Sequence, residues 1–257
     1  TPFDGASIYN ATDQAMLATE TTGPLGLYDL LAPAGYAVTI SDGDGYLNDA
    51  EDGAVSFAFT GAEVGAGYSY SYASAGGGGP VNGSGTIATA TDTIGPVDLS
   101  ALNDGLVTLS VTLTDLAGNI GVAATDTTNL DTTAPAGFTA GAVTTTGGTV
   151  VAGYWNSTNA GVTVTIPIAA DASLAGGTAQ LQGSRDGSTW ENLSAATAIV
   201  AVNTTMDLSD SLLGVESLPG FAEGDTLSFR AVITDLAGNA TTGAASGVTL
   251  LVDQSAP

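Results

Sequence analysis

The side chains of this chain that could do chemistry are acids and amides placed in loops. The six letters Thr-Asp-Leu-Ala-Gly-Asn occupy residues 114–119 and occur again, unchanged, at residues 234–239. A second acid-rich stretch, residues 42–53, precedes the first copy. Carboxylate and amide oxygens are the ligands of hard cations, and Ca²⁺ accepts about 6–8 of them in a flexible geometry. The chemistry open to these residues is therefore the binding of a divalent cation.

The composition excludes several other functions. The chain has 26 Asp and Glu against two basic residues, no Cys and no His, and a formal net charge of −24. Without Cys and His it has no disulfide, none of the common zinc sites and no Ser-His or Cys-His nucleophile pair. No pair of carboxylates stands out as a catalytic acid and base, so we predict that the chain is not an enzyme. Because a strongly acidic chain repels nucleic acid and anionic membranes, we predict neither as a partner. No apolar run is long enough for membrane insertion.

Repeated segments divide the chain into domains. Each copy of the six-letter loop is followed by a strand-like stretch that ends in Asp-x-x-Ala-Pro, at Asp131–Pro135 and at Asp253–Pro257. A degraded copy of the same tail ends at Asp29–Pro33. A fixed period of this kind indicates tandem repeats. We predict that residues 1–31 are the last hairpin of a preceding repeat, that residues 32–133 form domain 1 and that residues 134–257 form domain 2.

The elements that must position these loops are short strands. In residues 106–114 four apolar side chains alternate with Thr and Ser, which predicts a strand with one buried face. Residues 227–233 repeat this alternation, with Arg230 on the opposite face. The triplet Arg185-Asp186-Gly187 predicts a hairpin turn. Other strands are predicted at 36–41, 54–62, 66–72, 84–90, 95–99, 161–168, 177–184 and 188–193. About seven strands per repeat and no long helical pattern predict an all-β protein, built of tandem immunoglobulin-like antiparallel β-sandwiches.

This fold predicts which loops share one end of a domain. The loop after the first strand and the turn before the penultimate strand should lie where the chain leaves domain 1, and the six-letter loop should lie where the chain enters domain 2. We therefore predict a Ca²⁺ site at the junction of the two domains, formed by Asp42, Asp44, Glu51, Asp104, Asp131, Asp235 and Asn239. A weaker candidate lies at the junction before domain 1, with Asp29, Asp115 and Asn119. The alternative is that these residues only cap turns and that Gly-Asn supplies a left-handed backbone.

Two other readings of the sequence compete with the calcium site. An aromatic set could form a sugar-binding platform, although a row of rings on a strand more often packs across strands. This set comprises Tyr68, Tyr70, Tyr72, Trp155 and Trp190. In the same class of function, the loop 76–80 could grip a partner protein. Residues 1–31 could instead be donated as a strand between subunits of a surface layer or fibre.

Taken together, the motifs resemble a known family. An acid-rich loop with Gly-Tyr-x-Asn, a Thr-Asp-x-Ala-Gly-Asn loop and a closing Asp-x-x-Ala-Pro resemble the bacterial immunoglobulin-like repeats of large secreted surface proteins. Biofilm-associated and RTX-type adhesins are examples of this class. The resemblance implies an extracellular, cell-surface extender whose partners are its neighbouring repeats, stiffened by Ca²⁺, with any surface or matrix ligand bound elsewhere in the full protein. Domain 2 departs from the pattern at Asn159, which stands where domain 1 has Glu51 and argues against calcium at its far end.

Overall fold

The structure, a computed structural model, describes residues 29–255. Contacts divide these residues into two compact units, unit 1 (29–130) and unit 2 (131–255). The sequence prediction sets the domain boundary after residue 133, whereas the contacts set it after Leu130. Asp131 belongs to unit 2 because its carbonyl oxygen accepts a hydrogen bond from Asn239 Nδ2 at 2.7 Å. Nearly all of the predicted tail at residues 1–31 lies outside the described residues.

Unit 1 is a two-sheet sandwich. One sheet has the strand order β1-β3-β6 and the other β2-β8-β7-β4-β5. Its strands are β1 (Ala37–Ile40), β2 (Tyr46–Leu47), β3 (Val55–Thr60), β4 (Gly67–Ser74), β5 (Val81–Thr86), β6 (Thr93–Val97), β7 (Gly105–Thr114) and β8 (Ala124–Leu130), with a 3₁₀ turn at Asp52–Ala54.

The core of unit 1 lies between its two sheets. The alternation predicted for residues 106–114 is confirmed, since every second side chain of β7 from Val107 to Leu113 is fully buried. Phe57 of β3 meets Tyr72 of β4 edge-on at 6.1 Å between ring centroids, which joins the two sheets. Full burial of a side chain of this size is worth roughly 1.5–3 kcal/mol.

Unit 2 repeats this plan. One sheet has the order β15-β11-β9 and the other β10-β18-β16-β12-β13, with β14 paired to β12 and β17 to β16. Its strands are β9 (Val143–Thr146), β10 (Tyr154–Trp155), β11 (Gly161–Ile168), β12 (Thr178–Ser184), β13 (Glu191–Asn192), β14 (Thr197–Ala198), β15 (Thr204–Ser211), β16 (Thr226–Thr234), β17 (Ala240–Thr242) and β18 (Leu250–Val252).

The core and the hairpin of unit 2 confirm the sequence prediction. Alternate side chains of β16 from Leu227 to Ile233 are buried, and Trp155 is fully buried beside them. Strands β12 and β13 pair antiparallel across the predicted turn. In that turn Asp186 Oδ1 accepts hydrogen bonds from the backbone N–H groups of Ser188 and Thr189, and Gly187 has the left-handed φ of +70°.

A short parallel pair is common to the two units. The repeated Gly-Tyr-x-Asn segments form β2 and β10, and each pairs parallel with the last strand of its own unit, β8 or β18. All other named pairs are antiparallel. The two units are thus tandem immunoglobulin-like β-sandwiches, as predicted.

Several elements differ from the sequence prediction. Of the strand predicted at 188–193 only Glu191–Asn192 forms, as β13, and β15 (Thr204–Ser211) is an additional strand. The strand predicted at 84–90 lies at Val81–Thr86 instead. After Ile87, whose side chain is buried, the chain turns, and Asp92 Oδ2 accepts a hydrogen bond from the Ala88 backbone N–H in that turn. The strand predicted at 95–99 begins two residues earlier, at Thr93. Unit 2 also contains one short helix, α1 (Leu212–Glu216), which buries Val215. No helix within residues 29–255 is long and apolar enough to span a membrane.

Candidate functional site

In unit 1 the six-letter loop folds around its own acid and amide. Asp115 Oδ1 accepts hydrogen bonds from the backbone N–H groups of Ala117 and Asn119, both at 2.8 Å. Asp115 Oδ2 accepts another at 2.7 Å from the side-chain amide of Asn119. The same amide nitrogen donates to the carbonyl oxygen of Asp29 at 2.9 Å. Gly118, at φ +93°, supplies the left-handed residue that closes the loop. We call this arrangement the Asp–Asn clasp.

Unit 2 builds the same clasp from the second copy of the motif. Asp235 Oδ1 accepts from the backbone N–H of Asn239 at 2.9 Å, and Asp235 Oδ2 accepts from Asn239 Nδ2 at 3.1 Å. Asn239 Nδ2 also donates to the carbonyl oxygen of Asp131 at 2.7 Å. Asp29 and Asp131 are the matching first residues of the two Asp-x-x-Ala-Pro segments. Each clasp therefore holds the segment through which the chain enters its unit.

The clasp of unit 1 favours the charged form of its carboxyl group. The Asn119 side-chain amide, followed by the backbone N–H groups of Asn119 and Ala117, holds the pKa of the Asp115 carboxyl below its ordinary value, against the opposing effect of burial. Hydrogen bonds to the ionised form of an acid have this effect. The Asp115 and Asp235 side chains are both buried. At neutral pH the clasp of unit 1 thus uses a buried, hydrogen-bonded carboxylate.

The other acids of the predicted site lie where the chain leaves unit 1. The pair Leu47–Leu130 places the end of the acidic loop beside the end of β8, and Leu99 N–H donates to the Asp52 carbonyl oxygen at 2.8 Å. Asp42 is half-buried, and Asp44 Oδ1 accepts a hydrogen bond from the backbone N–H of Tyr46. The predicted loops therefore share this end of unit 1.

Asp52 shows that negative charge accumulates at this end. Burial, followed by repulsion from Asp49, Asp98 and then Asp104, raises the pKa of the Asp52 carboxyl above its ordinary value. Asp52 and Asp98 were not among the predicted ligands. The two residues are far apart in the sequence, so the sequence does not show that they are neighbours. They lie close together because the chain after β6 runs beside the 3₁₀ turn at Asp52–Ala54, where Leu99 N–H donates to the Asp52 carbonyl oxygen.

The repeat itself gives Glu51 a structural role. Glu51 Oε2 accepts a hydrogen bond from the backbone N–H of Asn48 at 3.1 Å. At the matching position of unit 2, Asn159 Oδ1 accepts from the backbone N–H of Asn156 at 2.8 Å. A neutral amide and a carboxylate thus cap the same turn, so capping does not require a charge at this position.

The donors have the chemistry that calcium prefers, but neither unit assembles a site by itself. All the predicted ligands have a carboxylate or amide oxygen that can bind Ca²⁺. Asp131 Oδ1 in addition accepts a hydrogen bond from the backbone N–H of Thr133. Over residues 29–130 and 131–255, each taken alone, no three acidic side chains converge closely enough to hold one metal ion.

Four of the five aromatic residues pack in or against the two cores, and the fifth, Trp190, lies under Arg230. Tyr72 and Trp155 are fully buried. Tyr68 and Tyr70 stack on each other at 6.4 Å and contact Phe59 and Phe57, respectively. The Trp190 ring is covered by the guanidinium of Arg230 at 4.2 Å. Cross-strand and cross-sheet packing, the favoured interpretation of the sequence, accounts for these rings.

The loop 76–80 is likewise used for packing. A Cβ on Gly76 would lie 1.9 Å from the Asp104 carbonyl oxygen, and a Cβ on Gly78 would lie 2.5 Å from that of Ala101. The Asn103 side-chain amide also donates to the Gly76 carbonyl oxygen. These glycines allow two loops of unit 1 to approach closely.

Comparisons with known proteins find structural likeness alone. No family profile and no curated protein matches the chain. Similar solved structures include a tetra-tandem repeat in the extending region of a large adhesion protein, at 20% identity and a TM-score of 0.30 over 86% of this chain and 50% of that one. The BSP domain of a biofilm-associated protein matches at 15% identity and TM-score 0.27, over 86% and 30% of the two chains. Domains from titin match at 11% identity and TM-score 0.44, over 86% and 68%.

Repeats of large adhesion proteins, the class that the sequence resembles, are thus among the similar structures. This chain spans half the length of the adhesion-protein structure. At these identities and TM-scores the likeness carries no argument about function, which has to be argued from the residues themselves.

Proposed function

We propose that this chain is a pair of extender repeats from the stalk of a large extracellular adhesin at a cell surface. The observation that supports this proposal is the Asp–Asn clasp, present with the same donors and acceptors at the N-terminal end of both units. The role is structural, with neighbouring repeats as the partners and the adhesive ligand bound elsewhere in the full protein. The binding-module alternative has less support among the described residues, because Tyr72 and Trp155 are buried and the half-buried Tyr68, Tyr70 and Trp190 pack against Phe59, Phe57 and Arg230.

The clasp fixes the start of each unit, which an extender repeat requires. A stalk transmits orientation only if the incoming chain is fixed to the unit that follows it. In unit 2 the Asp131 carbonyl is held by Asn239, and the Pro135 carbonyl accepts a hydrogen bond from Thr241 Oγ1 at 2.5 Å. In unit 1 the Asp29 carbonyl is held by Asn119. These bonds fix the first residues of each unit to the unit that they enter.

We further propose that Ca²⁺ binds where the chain passes from unit 1 to unit 2. Unit 1 would supply Asp42, Asp44, Glu51 and Asp104, and unit 2 would supply Asp131, Asp235 and Asn239. The raised pKa of Asp52 supports this proposal, because it reflects crowded negative charge that a divalent cation would relieve. The weaker set, Asp29, Asp115 and Asn119, would act in the same way with a preceding repeat. A bound ion would restrict the relative orientation of the units and raise stability by mass action.

Small-angle X-ray scattering of the full chain with Ca²⁺ and with chelator tests this proposal. We expect a longer maximum dimension with Ca²⁺ and no such change in Asp131→Ala, whose main-chain carbonyl still accepts from Asn239. Asp207→Asn, an exposed acid on β15 outside the predicted set, is the matched control and should respond like the unmodified chain. Equal dimensions with and without Ca²⁺, together with no Ca²⁺ binding by calorimetry, would refute the calcium proposal.

A further inference from the structure

Unit 2 carries a positive charge, on the outer face of its larger sheet, that is not paired with an acid. Arg230, on β16, is one of only two basic residues in a chain with 26 Asp and Glu. Within residues 29–255 it makes no ion pair, whereas the other basic residue, Arg185, pairs with Asp225 at 3.8 Å. Because opposite charges attract, an unpaired guanidinium in so acidic a chain needs an explanation.

Side chains from three adjacent strands form a hydrogen-bonded row that includes this guanidinium. Arg230 Nε donates to Gln182 Oε1 at 2.8 Å, and Gln182 Nε2 donates to Asn192 Oδ1 at 2.9 Å. The strand register places these three residues side by side on β16, β12 and β13. We call them the arginine row. The guanidinium also lies 4.2 Å from the centroid of the Trp190 ring, and this cation–π contact fixes its position.

The arginine row presents hydrogen-bond donors at both of its ends. A guanidinium can only donate, so Gln182 has to present its oxygen to Arg230 and its nitrogen to Asn192. This order leaves the Nη groups of Arg230 and the Nδ2 group of Asn192 without an acceptor among the described residues. Burial lowers the pKa of the Arg230 guanidinium below its ordinary value, but the group stays charged at neutral pH. The row therefore suits a ligand that combines a negative charge with further acceptor oxygens.

Unit 1 builds the same part of its sheet without such a row. Ser110 of β7 and Ser71 of β4 face each other at the positions that Arg230 and Gln182 occupy in unit 2. The third position, on the next strand, is an Asn in both units. Two serines are thus enough to form the sheet at this place, so the fold alone does not explain the Arg and the Gln of unit 2.

We propose that the arginine row of unit 2 binds a carboxylate-bearing sugar, such as a uronic acid residue of an acidic polysaccharide. The Nη groups of Arg230 can hold the carboxylate through two parallel hydrogen bonds. Neighbouring strands are about 4.8 Å apart, so the row spans roughly 10 Å over its three strands. Asn192 Nδ2 can therefore donate to a hydroxyl or ring oxygen of the same sugar. This contact is additional to the extender role and does not depend on it.

An acidic sugar fits the arginine row better than an acidic peptide or a second copy of the chain. The carboxylate of an Asp or Glu side chain would use the donors of Arg230 and leave the donor of Asn192 unused. A second copy would bring its own net charge of −24 close to the first, which opposes association. A sugar acid supplies one charge and several acceptor oxygens within a single residue.

NMR titration of the isotope-labelled full chain with trigalacturonate tests the proposal. The buffer contains no Ca²⁺, so that no carboxylate can bind through a protein-bound ion, and enough salt (about 0.15 M) to screen charges beyond about 8 Å. We expect saturable shifts of the Trp190 indole N–H and of the Asn192 side-chain amide. The neutral methyl ester of the same trisaccharide should bind at least tenfold more weakly.

Substitution of the two basic residues locates the binding. Arg230→Gln, which removes the charge and keeps a polar side chain, should raise the dissociation constant at least tenfold. Arg230→Lys, which keeps the charge but loses the two parallel donors, should give a smaller loss. Arg185→Gln removes the same charge at the other basic residue and should bind like the unmodified chain. Thermal unfolding checks that each variant keeps its fold.

Each other outcome overturns the proposal. Titration without saturable shifts would show that the arginine row binds no acidic sugar. Equal affinity for the methyl ester, or equal affinity of Arg230→Gln, would show that the guanidinium does not recognise the ligand. An equal loss in Arg185→Gln would show that overall charge governs the binding. Triglutamate bound as tightly as trigalacturonate would identify an acidic peptide as the ligand. The extender function and the calcium proposal stand whichever result is obtained.

Discussion

At the scale of single residues, the amide of the clasp carries more than one contact. Asn239 Nδ2 donates to the Asp235 carboxylate and to the Asp131 carbonyl, and the whole side chain is buried. Removal of this amide takes one donor from the Asp131 carbonyl oxygen and one from Asp235 Oδ2, while Asp235 Oδ1 keeps the backbone N–H of Asn239. The loss of a donor from a buried polar group costs about 1–3 kcal/mol.

We therefore predict that Asn239→Ala lowers the free energy of unfolding of unit 2 by about 1–3 kcal/mol. Asn239→Asp should cost at least as much at neutral pH, since it places a second negative charge beside Asp235, and part of that loss should be recovered on mild acidification. Urea unfolding of the 131–257 fragment measures both effects. Asn192→Ala, at an exposed amide of β13, is the control. An unchanged midpoint for Asn239→Ala would contradict the role of the clasp.

Tyr72 allows a test in the opposite direction. Its hydroxyl is buried in the core of unit 1 without a hydrogen-bond partner among the described residues. Tyr72→Phe removes this polar atom and keeps the ring contact with Phe57. We predict that unit 1 gains about 1 kcal/mol of stability, measured by thermal unfolding. A loss of stability would show that the hydroxyl has a partner, such as an ordered water.

The same hydroxyl predicts a dependence on alkaline pH. Burial, followed by Tyr70 and Asp126, raises the pKa of Tyr72 well above its ordinary value. Between the unfolded and the folded pKa, the folded state keeps a proton that the unfolded chain releases. Below about pH 10 the Tyr72 hydroxyl is protonated in both states, so its ionisation has no effect on the stability of unit 1. As the pH rises further, the free energy of unfolding of unit 1 falls. We predict that the stability gap between Tyr72→Phe and the unmodified chain widens above that pH. A gap that stays constant with pH would contradict this assignment.

At the scale of elements, the edge strand β5 depends on its glycines. A Cβ on Gly83 would lie 2.4 Å from Tyr70 Cζ. The Tyr70 ring cannot move aside easily, since it packs between Phe57 at 5.3 Å, Tyr72 at 5.9 Å and Tyr68 at 6.4 Å. Aromatic side chains that cover glycines of an edge strand are a known means of fixing strand register.

We predict that Gly83→Ala destabilises unit 1 by roughly 1–3 kcal/mol through overpacking. In a Tyr70→Ala background the same substitution should cost much less, since the obstructing ring is gone. A double-mutant cycle measured by thermal unfolding separates the two terms. Ser84→Ala, at an exposed position of the same strand, is the control and should change little. Equal costs in both backgrounds would show that the ring is not the cause.

The strands that could be predicted from the sequence are those in which apolar and polar residues alternate without interruption. In β7 and β16 every second residue is apolar, and both are buried as predicted. β5 could not be placed correctly, because Gly83 and Gly85 interrupt the apolar pattern and only the rings of β4 explain them. Helix α1 has five residues, which is too few for a helical period to be recognised.

For the candidate site, the sequence identified the residues but not all of their partners. The duplicated motif drew attention to Asp115, Asn119, Asp235 and Asn239, which do act together. Asn119 and Asn239 also donate to a main-chain carbonyl oxygen, that of Asp29 or Asp131. Every residue has such an oxygen, so the sequence cannot show which one is the acceptor. The hydrogen bonds of these residues could therefore not be read from residue type, and their role as metal ligands stays a prediction. Whether a cation joins them is the question for scattering.

At the scale of the whole molecule, each unit contains what it needs to fold. Unit 2 has its own core, its own clasp and its own parallel pair of β10 with β18. A chain with a net charge of −24 gains little from ion pairs, and the ion pair between Arg185 and Asp225, at 3.8 Å, is partly exposed. Stability therefore depends on the two cores and on the hydrogen bonds within each unit.

We predict that residues 131–257 fold as an isolated fragment, with a cooperative thermal transition by circular dichroism. A fragment that starts at Ala134 lacks the Asp131 carbonyl that Asn239 binds and should be less stable by about 1–2 kcal/mol. Comparing the two fragments tests whether unit 2 begins at Asp131, as the contacts indicate, or at Ala134, as predicted from the sequence. Equal stabilities would mean that the bond to Asp131 contributes nothing to unit 2.

The parallel pairing of β2 with β8 has a mechanical consequence. If a unit is stretched by its two ends, tension pulls β2 toward the start of the chain and β8 toward its end, in opposite directions along a shared axis. The hydrogen bonds of that pair are then loaded together in shear rather than opened one after another like a zip. Strands β10 and β18 repeat this geometry in unit 2. In each sandwich this parallel pair therefore resists unfolding under force, because its hydrogen bonds have to break together before the two strands can separate.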